Sequence, residues 1–288
     1  MPNKRARKQM TRRSNQLNSN KDLAIGVFDS GMGGLTVLRA LRDKLPHESF
    51  VYLGDTARLP YGTKSPDTVK QYAMQMAKIL VERRIKALVI ACNTATTAAL
   101  PHLQSMLTDI PVLGVVAPGA AAAVSATKNH RIAVLATETT IASRAYHDLI
   151  IKNLPEAVVS SRACSVLVAL AEEGMVTNAV AREALKHYLD DFSDEDAVLL
   201  GCTHFPVFKP LLSSLLPKDV AIVDSAQATA ISLYELLQNQ NLHNDNLEAP
   251  PRINYLVTDS INRFQKVGEI FLGEQLSLSD IELIDAMG

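Results

Sequence analysis

The sequence predicts an α/β protein with a mainly parallel sheet flanked by helices. Three observations carry this. From Leu23 onward, short β-branched runs alternate with stretches of helical period, the pattern of βαβ units. Several runs are apolar without a break, as in Ala-Leu-Val-Ile-Ala at 87–91, which suits strands covered on both faces. Four of the runs end in polar or reactive residues that a core does not need, and open parallel sheets bind ligands at the carboxyl ends of their strands.

In chain order the expected strands are Leu23–Phe28, Phe50–Leu53, Ala87–Ala91, Val112–Val116, Arg131–Ala136, Ala197–Gly201, Val220–Val223 and Ile253–Val257. The clearest helix opens at Ser65-Pro66-Asp67, which supplies an N-cap, a proline at the first helical position and an acid in the first turn. Its apolar face reads Val69, Tyr72, Ala73, Met76, Ile79 and Leu80, at spacings of three and four.

At 288 residues the chain has room for about two domains. With 47% apolar and 20% charged residues, neither a disordered chain nor a disulfide-stapled miniprotein is expected. The most apolar stretch, Pro111 to Ala126, is interrupted by Gly114, Pro118, Gly119 and Ser125, so no membrane span is expected. Three dispersed cysteines, Cys92, Cys164 and Cys202, do not make a disulfide framework, and a cytoplasmic protein is the default. The net charge of −1 hides an asymmetry: residues 1–21 hold seven Lys/Arg and no acid, leaving 22 basic against 30 acidic residues in the body. That body is not a nucleic-acid surface. The basic tail lacks the apolar stretch of a secretory signal and reads as a flexible, solvated extension or an arm for acidic partners.

The first strand end is Phe28-Asp29-Ser30-Gly-Met-Gly-Gly34, with a helix expected from about Leu35. It is not a dinucleotide fingerprint, because position 36 is Thr36, and no Gly-Lys-Ser/Thr follows to make a P-loop. It is either an anion cradle paired with Asp29 or a tight turn that Asp29 caps. The second, Gly54-Asp55-Thr-Ala-Arg58-Leu-Pro-Tyr61-Gly62, fits an ion pair and a turn as well as a site. The third and fourth resemble one another: Leu88-Val-Ile-Ala-Cys92-Asn93-Thr94 and Val198-Leu-Leu-Gly-Cys202-Thr203-His204 each run apolar, small, cysteine, then two polar residues. This weak duplication presents one thiol per half, while Cys164 has no such context and is expected in a core.

Cys92, Cys202 and His204 could in principle bind zinc, but no Cys-x₂₋₄-Cys or His-x₃₋₅-His spacing exists, and no metal is expected. A Cys–His hydrolase would leave the second thiol unexplained. Two equivalent thiols suit a reaction that needs two equivalent bases.

Together the four strings, with a weaker Leu170-Ala-Glu172-Glu-Gly174, resemble the glutamate racemases of the aspartate/glutamate racemase family, from about residue 23 to the C-terminus. The resemblance implies two similar α/β domains with the active site in the cleft between them: 22–116 plus 226–288 as the first, 117–225 as the second. It implies cofactor-independent interconversion of L- and D-glutamate, supplying D-glutamate for peptidoglycan, by a chain that is a homodimer. By the same resemblance Cys202 deprotonates L-glutamate and Cys92 deprotonates D-glutamate, assisted by His204 and Asp29. Asp29, Ser30, Tyr61, Gly62, Asn93, Thr94, Thr203 and His204 match substrate-binding positions, and Asp55 and Glu172 supporting ones. One departure, Ala136-Thr-Glu-Thr-Thr140, falls in a loop expected to lie outside the direct substrate contacts. Two alternatives remain open: the same chemistry on aspartate, and a racemase-like chain acting mainly as an interaction protein through its tail.

Overall fold

The chain first lays down β1 (Ile25–Asp29), α1 (Leu35–Lys44), β2 (Phe50–Gly54), α2 (Pro66–Glu82), β3 (Ala87–Ile90), α3 (Asn93–Met106) and β4 (Val112–Gly114). It then crosses over and builds α4 (Val116–Ala126), β5 (Arg131–Ala136), α5 (Glu138–Ala142), α6 (Ala145–Asn153) and β6 (Val158–Ala163). There follow α7 (Val166–Glu172), α8 (Ala179–Leu189), β7 (Ala197–Gly201), α9 (Lys209–Leu215) and β8 (Ala221–Asp224). It returns through α10 (Ser225–Asn239), β9 (Ile253–Val257), α11 (Ile261–Leu272) and β10 (Ile281–Leu283). These assignments come from a computed structural model that describes residues 20–245 and 250–286. The expected tail, apart from its last two residues, lies outside that range. Within it, Lys21 is tied down: its carbonyl accepts from Lys86 Nζ at 2.6 Å and its own Nζ donates to Asp245 at 2.9 Å.

Two all-parallel sheets result, one in the order β10-β9-β2-β1-β3-β4 and one in the order β6-β5-β7-β8. In the first sheet the chain leaves β1 toward β2 on one side and resumes at β3 on the other. In the second sheet β5 stands in the same relation to β6 and β7. Each sheet therefore has a switch point, where a crevice opens at the carboxyl ends of two central strands. Those central strands are buried throughout, as their unbroken apolar runs require. One apolar cluster extends from Leu38, Leu233 and Phe264 of the first lobe to Leu167, Phe205 and Phe208 of the second, so the lobes share a core. Cys164 is fully buried in that cluster.

α2 starts as its sequence dictates, with the Ser65 hydroxyl accepting from the Thr68 N–H and Pro66 at the first helical position. The strand expected over Val112–Val116 stops at Gly114, because Val116 already opens α4. Two strands carry no readable signal in the sequence. β6 is an edge strand with a half-polar, half-exposed run, Val-Val-Ser-Ser-Arg-Ala, and β10 is an edge of three residues. An edge strand needs no continuous apolar run, so hydropathy does not mark it. Among the described residues, no helix is long and apolar enough to cross a membrane.

Candidate active site

Both strand-end cysteines fall at the switch points. Cys92 follows β3 and is the N-cap of α3, where its sulfur accepts from the Ala95 N–H at 3.4 Å and from the Ser30 hydroxyl. Cys202 follows β7. Their exposures, 5% and 8%, are nearly equal. The carboxyl ends of the two sheets face each other, since residues from one lobe bond to residues of the other all around the thiols. The sulfurs are close enough that the charge of Cys202 bears on Cys92.

The two thiols differ in electrostatics. Burial, and then the Asp29 carboxylate, push the Cys92 thiol up to about 12, outweighing its two hydrogen-bond donors. Asp29 is fully buried, and burial raises its carboxyl as well, against the pull of His204 and of the donors from Gly34, Gly31 and Thr203. The Gly31 N–H donates to it at 3.1 Å and Thr203 Oγ1 at 3.2 Å, the latter from the other lobe.

Cys202 faces a cation instead. His204 Nδ1 lies 3.9 Å from its sulfur, and His204 Nε2 donates to Glu172 Oε1 at 2.7 Å. Burial disfavours a charged imidazole, but the hydrogen bonds to Cys202 and Glu172, with the negative charge of both, prevail and push His204 up to about 10. Arg263 approaches the other Glu172 oxygen at 3.8 Å.

The segment 29–34 forms a turn that Asp29 caps. The N–H groups of Leu35, Thr36 and Val37 donate to the carbonyls of Met32, Gly33 and Gly34, so they are not free for an anion. What the glycines permit is close approach: a Cβ on Gly33 would lie 2.4 Å from His204 Nδ1 and 2.6 Å from Thr203 Oγ1. The segment 55–62 likewise contains the ion pair, with Arg58 Nε donating to Asp55 Oδ2 at 2.7 Å. The Tyr61 hydroxyl also donates to Asp55, and Thr258 Oγ1 donates to it at 3.0 Å. The Tyr61 hydroxyl is thus bonded within its own lobe.

The loop after β5 packs against the site from the second lobe. Thr137 and Thr140 join the site: the hydroxyls of Thr94, Thr137 and Thr140 form a buried triangle across the lobes, with sides of 2.9, 3.1 and 3.1 Å. Thr139 Oγ1 donates to the Gly62 carbonyl at 3.0 Å, and a Cβ on Gly62 would come 2.5 Å from Thr137. Gly62 is glycine because this loop sits directly on it. Tyr146, on α6, donates from its hydroxyl to Asn93 Oδ1 at 2.5 Å. Tyr146 does not stand out in the sequence, and 136–140 is marked there only as a departure in a loop; the further signal for Thr137 and Thr140 is their position just after β5, at a switch point that only the sheet order reveals. Among the described residues, no group of three or more His, Cys, Asp or Glu side chains could hold a metal ion.

Paired parallel α/β lobes that close their strand ends on a common polar cleft put the chain among the racemases, a class of isomerases. The chain belongs to the Asp/Glu/Hydantoin racemase family, whose family model matches residues 35–233. It is 46% identical to a glutamate racemase of Syntrophus aciditrophicus over 88% of this chain and 93% of that one. The structure of glutamate racemase isoform RacE1 from Bacillus anthracis superposes with a TM-score of 0.87 at 38% identity, covering 92% of this chain and 98% of the other. That of the Francisella tularensis glutamate racemase in complex with D-glutamate superposes with a TM-score of 0.85 at 37% identity, covering 93% and 99%.

Proposed function

We propose that the chain interconverts L- and D-glutamate without a cofactor, with Cys202 and Cys92 as bases on opposite faces of the substrate, and that it supplies D-glutamate for peptidoglycan precursors in the cytoplasm. The observation that carries the two-base reading is the unequal charge around two equally buried sulfurs. Burial and Asp29 push the Cys92 thiol up to about 12, while the neighbour of Cys202 is His204, pushed up to about 10. One base and one acid on opposite sides is the state a two-base racemase requires before turnover.

In that state the Cys202 thiolate takes the Cα proton of L-glutamate and becomes a thiol. Cys92 gives its proton to the opposite face and becomes a thiolate. Each turnover leaves the enzyme in the opposite protonation state, the one that accepts D-glutamate. Asp29 and His204 are the titratable neighbours through which the two sulfurs reset.

The Cα proton is weakly acidic, so the charge developing on the α-carboxylate needs preorganised donors. Asn93 Nδ2 and the hydroxyls of Ser30, Thr94 and Thr203 are the side-chain donors of the cleft, each worth about 3 kcal/mol in the transition state if well aimed. The N–H groups of Tyr61 and Gly62 open a helical turn, have no partner within it, and serve the distal carboxylate. The likeness to a racemase described in complex with D-glutamate supports this choice of substrate, and the chain is read as a homodimer on the resemblance of its sequence alone.

The test is α-proton exchange in deuterated water with each enantiomer of glutamate and of aspartate, in the presence of a chelator. Wild type should exchange both glutamates, and Cys92→Ser and Cys202→Ser should each lose racemisation by about a thousandfold while melting as wild type does. Near-normal racemisation in either variant overturns the two-base reading; exchange of aspartate in preference to glutamate overturns the substrate.

A further inference from the structure

The amide of Asn93 is buried and only half used. Its Oδ1 accepts from Tyr146, but Nδ2 has no hydrogen-bond partner among the described residues. A buried amide left with unspent donors costs about 1–3 kcal/mol, and such a group in a native fold calls for an explanation. Which end of the amide faces the cleft decides what it can bind: NH₂ donates to a carboxylate, whereas C=O repels one.

The orientation is set from the second lobe. Asn93 opens α3, one residue after Cys92, while Tyr146 lies on α6. The phenol oxygen accepts from the Ser225 hydroxyl at the start of α10, where the chain returns to the first lobe. With that acceptor position filled, the phenol's single proton goes to Asn93, which must then turn Oδ1 toward Tyr146 and Nδ2 away from it. The ring cannot swing clear, because it is buried against Gly201, where a Cβ would lie only 2.8 Å from Tyr146 Cε2. Gly201 is the residue before Cys202, so the wedge is built into the strand that delivers the second thiol. Burial also pushes the phenol well above its ordinary range, so the proton stays on across the working pH.

We propose that Tyr146, held by Ser225, is a positioning residue that locks the Asn93 amide with its NH₂ toward the α-carboxylate of the substrate. This rests on the racemase reading given above. The lock also reports closure, because the Asn93 donor is correctly aimed only when the second lobe is seated on the first. The carboxylate gains charge as Cα loses its proton, so the lock acts on kcat more than on KM.

The experiment is steady-state racemisation of both glutamates by Tyr146→Phe, Asn93→Ala and the double variant, with melting curves for each. Tyr146→Phe keeps the ring and removes only the hydroxyl. It should lower kcat about tenfold or more, with KM changed less than about threefold. The double variant should be no slower than Asn93→Ala alone, because Tyr146 acts through Asn93. Ser225→Ala frees the phenol's acceptor position and should lower kcat by a smaller factor in the same KM-sparing way; it carries the test if Tyr146→Phe does not fold. Unchanged kcat in the folded variant, or losses that multiply in the double variant, overturns the lock. If wild type exchanges no α-proton of glutamate, it is the racemase reading that fails.

Discussion

The surroundings of the two thiols are built from matching strand ends, yet they are charged in opposite senses. On the first lobe Cys92 has a helix N-terminus, an N–H and a hydroxyl at its sulfur, all of which favour a thiolate. Burial and the Asp29 carboxylate override them. On the second lobe Cys202 has no such helix, and its partner is an imidazolium backed by Glu172. Sequence similarity between the two segments therefore marks where the sulfurs sit, and the residues behind them set the charge beside each one. Asp29 and His204 are also electrostatically coupled, and Thr203 joins Asp29 across the lobes, so the two charge settings are not independent.

Removing the carboxylate behind His204 should break this contrast most strongly. In Glu172→Gln, burial acts on the imidazole with one opposing charge fewer, and its titration moves down from about 10. Racemisation should fall by about tenfold to a hundredfold, in kcat/KM equally from either enantiomer because the equilibrium constant is one, and the alkaline limb of the pH–rate profile should move to lower pH. A loss with an unmoved limb would mean that Glu172 is only structural.

Thiol labelling should sharpen the contrast with a smaller effect. Because both sulfurs are almost equally covered, access does not separate them, and charge does. At mildly alkaline pH, iodoacetamide should alkylate Cys202 about tenfold faster than Cys92, as read by peptide mass spectrometry. Asp29→Asn removes the neighbouring negative charge and should narrow the gap. A faster Cys92 in wild type would reverse the proposed resting state.

The smallest effect is on stability. A histidine whose folded value is raised from 6.5 to about 10 contributes stability that is complete below its unfolded value and is lost as pH rises through the folded one. Between neutral pH and about pH 10 the melting temperature of wild type should therefore fall more than that of Glu172→Gln, by roughly 2 °C or more. Parallel curves would show that His204 gains no charge on folding.

Legibility from the sequence followed burial and locality. Unbroken apolar runs identified the central strands, and Arg131–Ala136, Ala197–Gly201 and Ile253–Val257 have the bounds expected. Edge strands β6 and β10 were silent because they are exposed or brief. At the site, Asp29, Cys92, Cys202 and His204 were readable because each lies at or just beyond the carboxyl end of a buried strand. Thr137, Thr140 and Tyr146 were not, because a threonine or tyrosine gains a role there only from partners 43, 46 and 53 residues away. Glu172 carried only a faint signal for the same reason: its partner, His204, is 32 residues distant.

The sequence by itself determined the α/β alternation and the two cysteine-bearing strand ends, since both are matters of local hydropathy and of what directly follows a strand. Only the tertiary structure decided which charges stand behind each sulfur, which way the Asn93 amide turns, and that Thr137 and Thr140 meet Thr94 across the lobes. Those depend on desolvation and on contacts between lobes, and neither exists until the two sheets face each other.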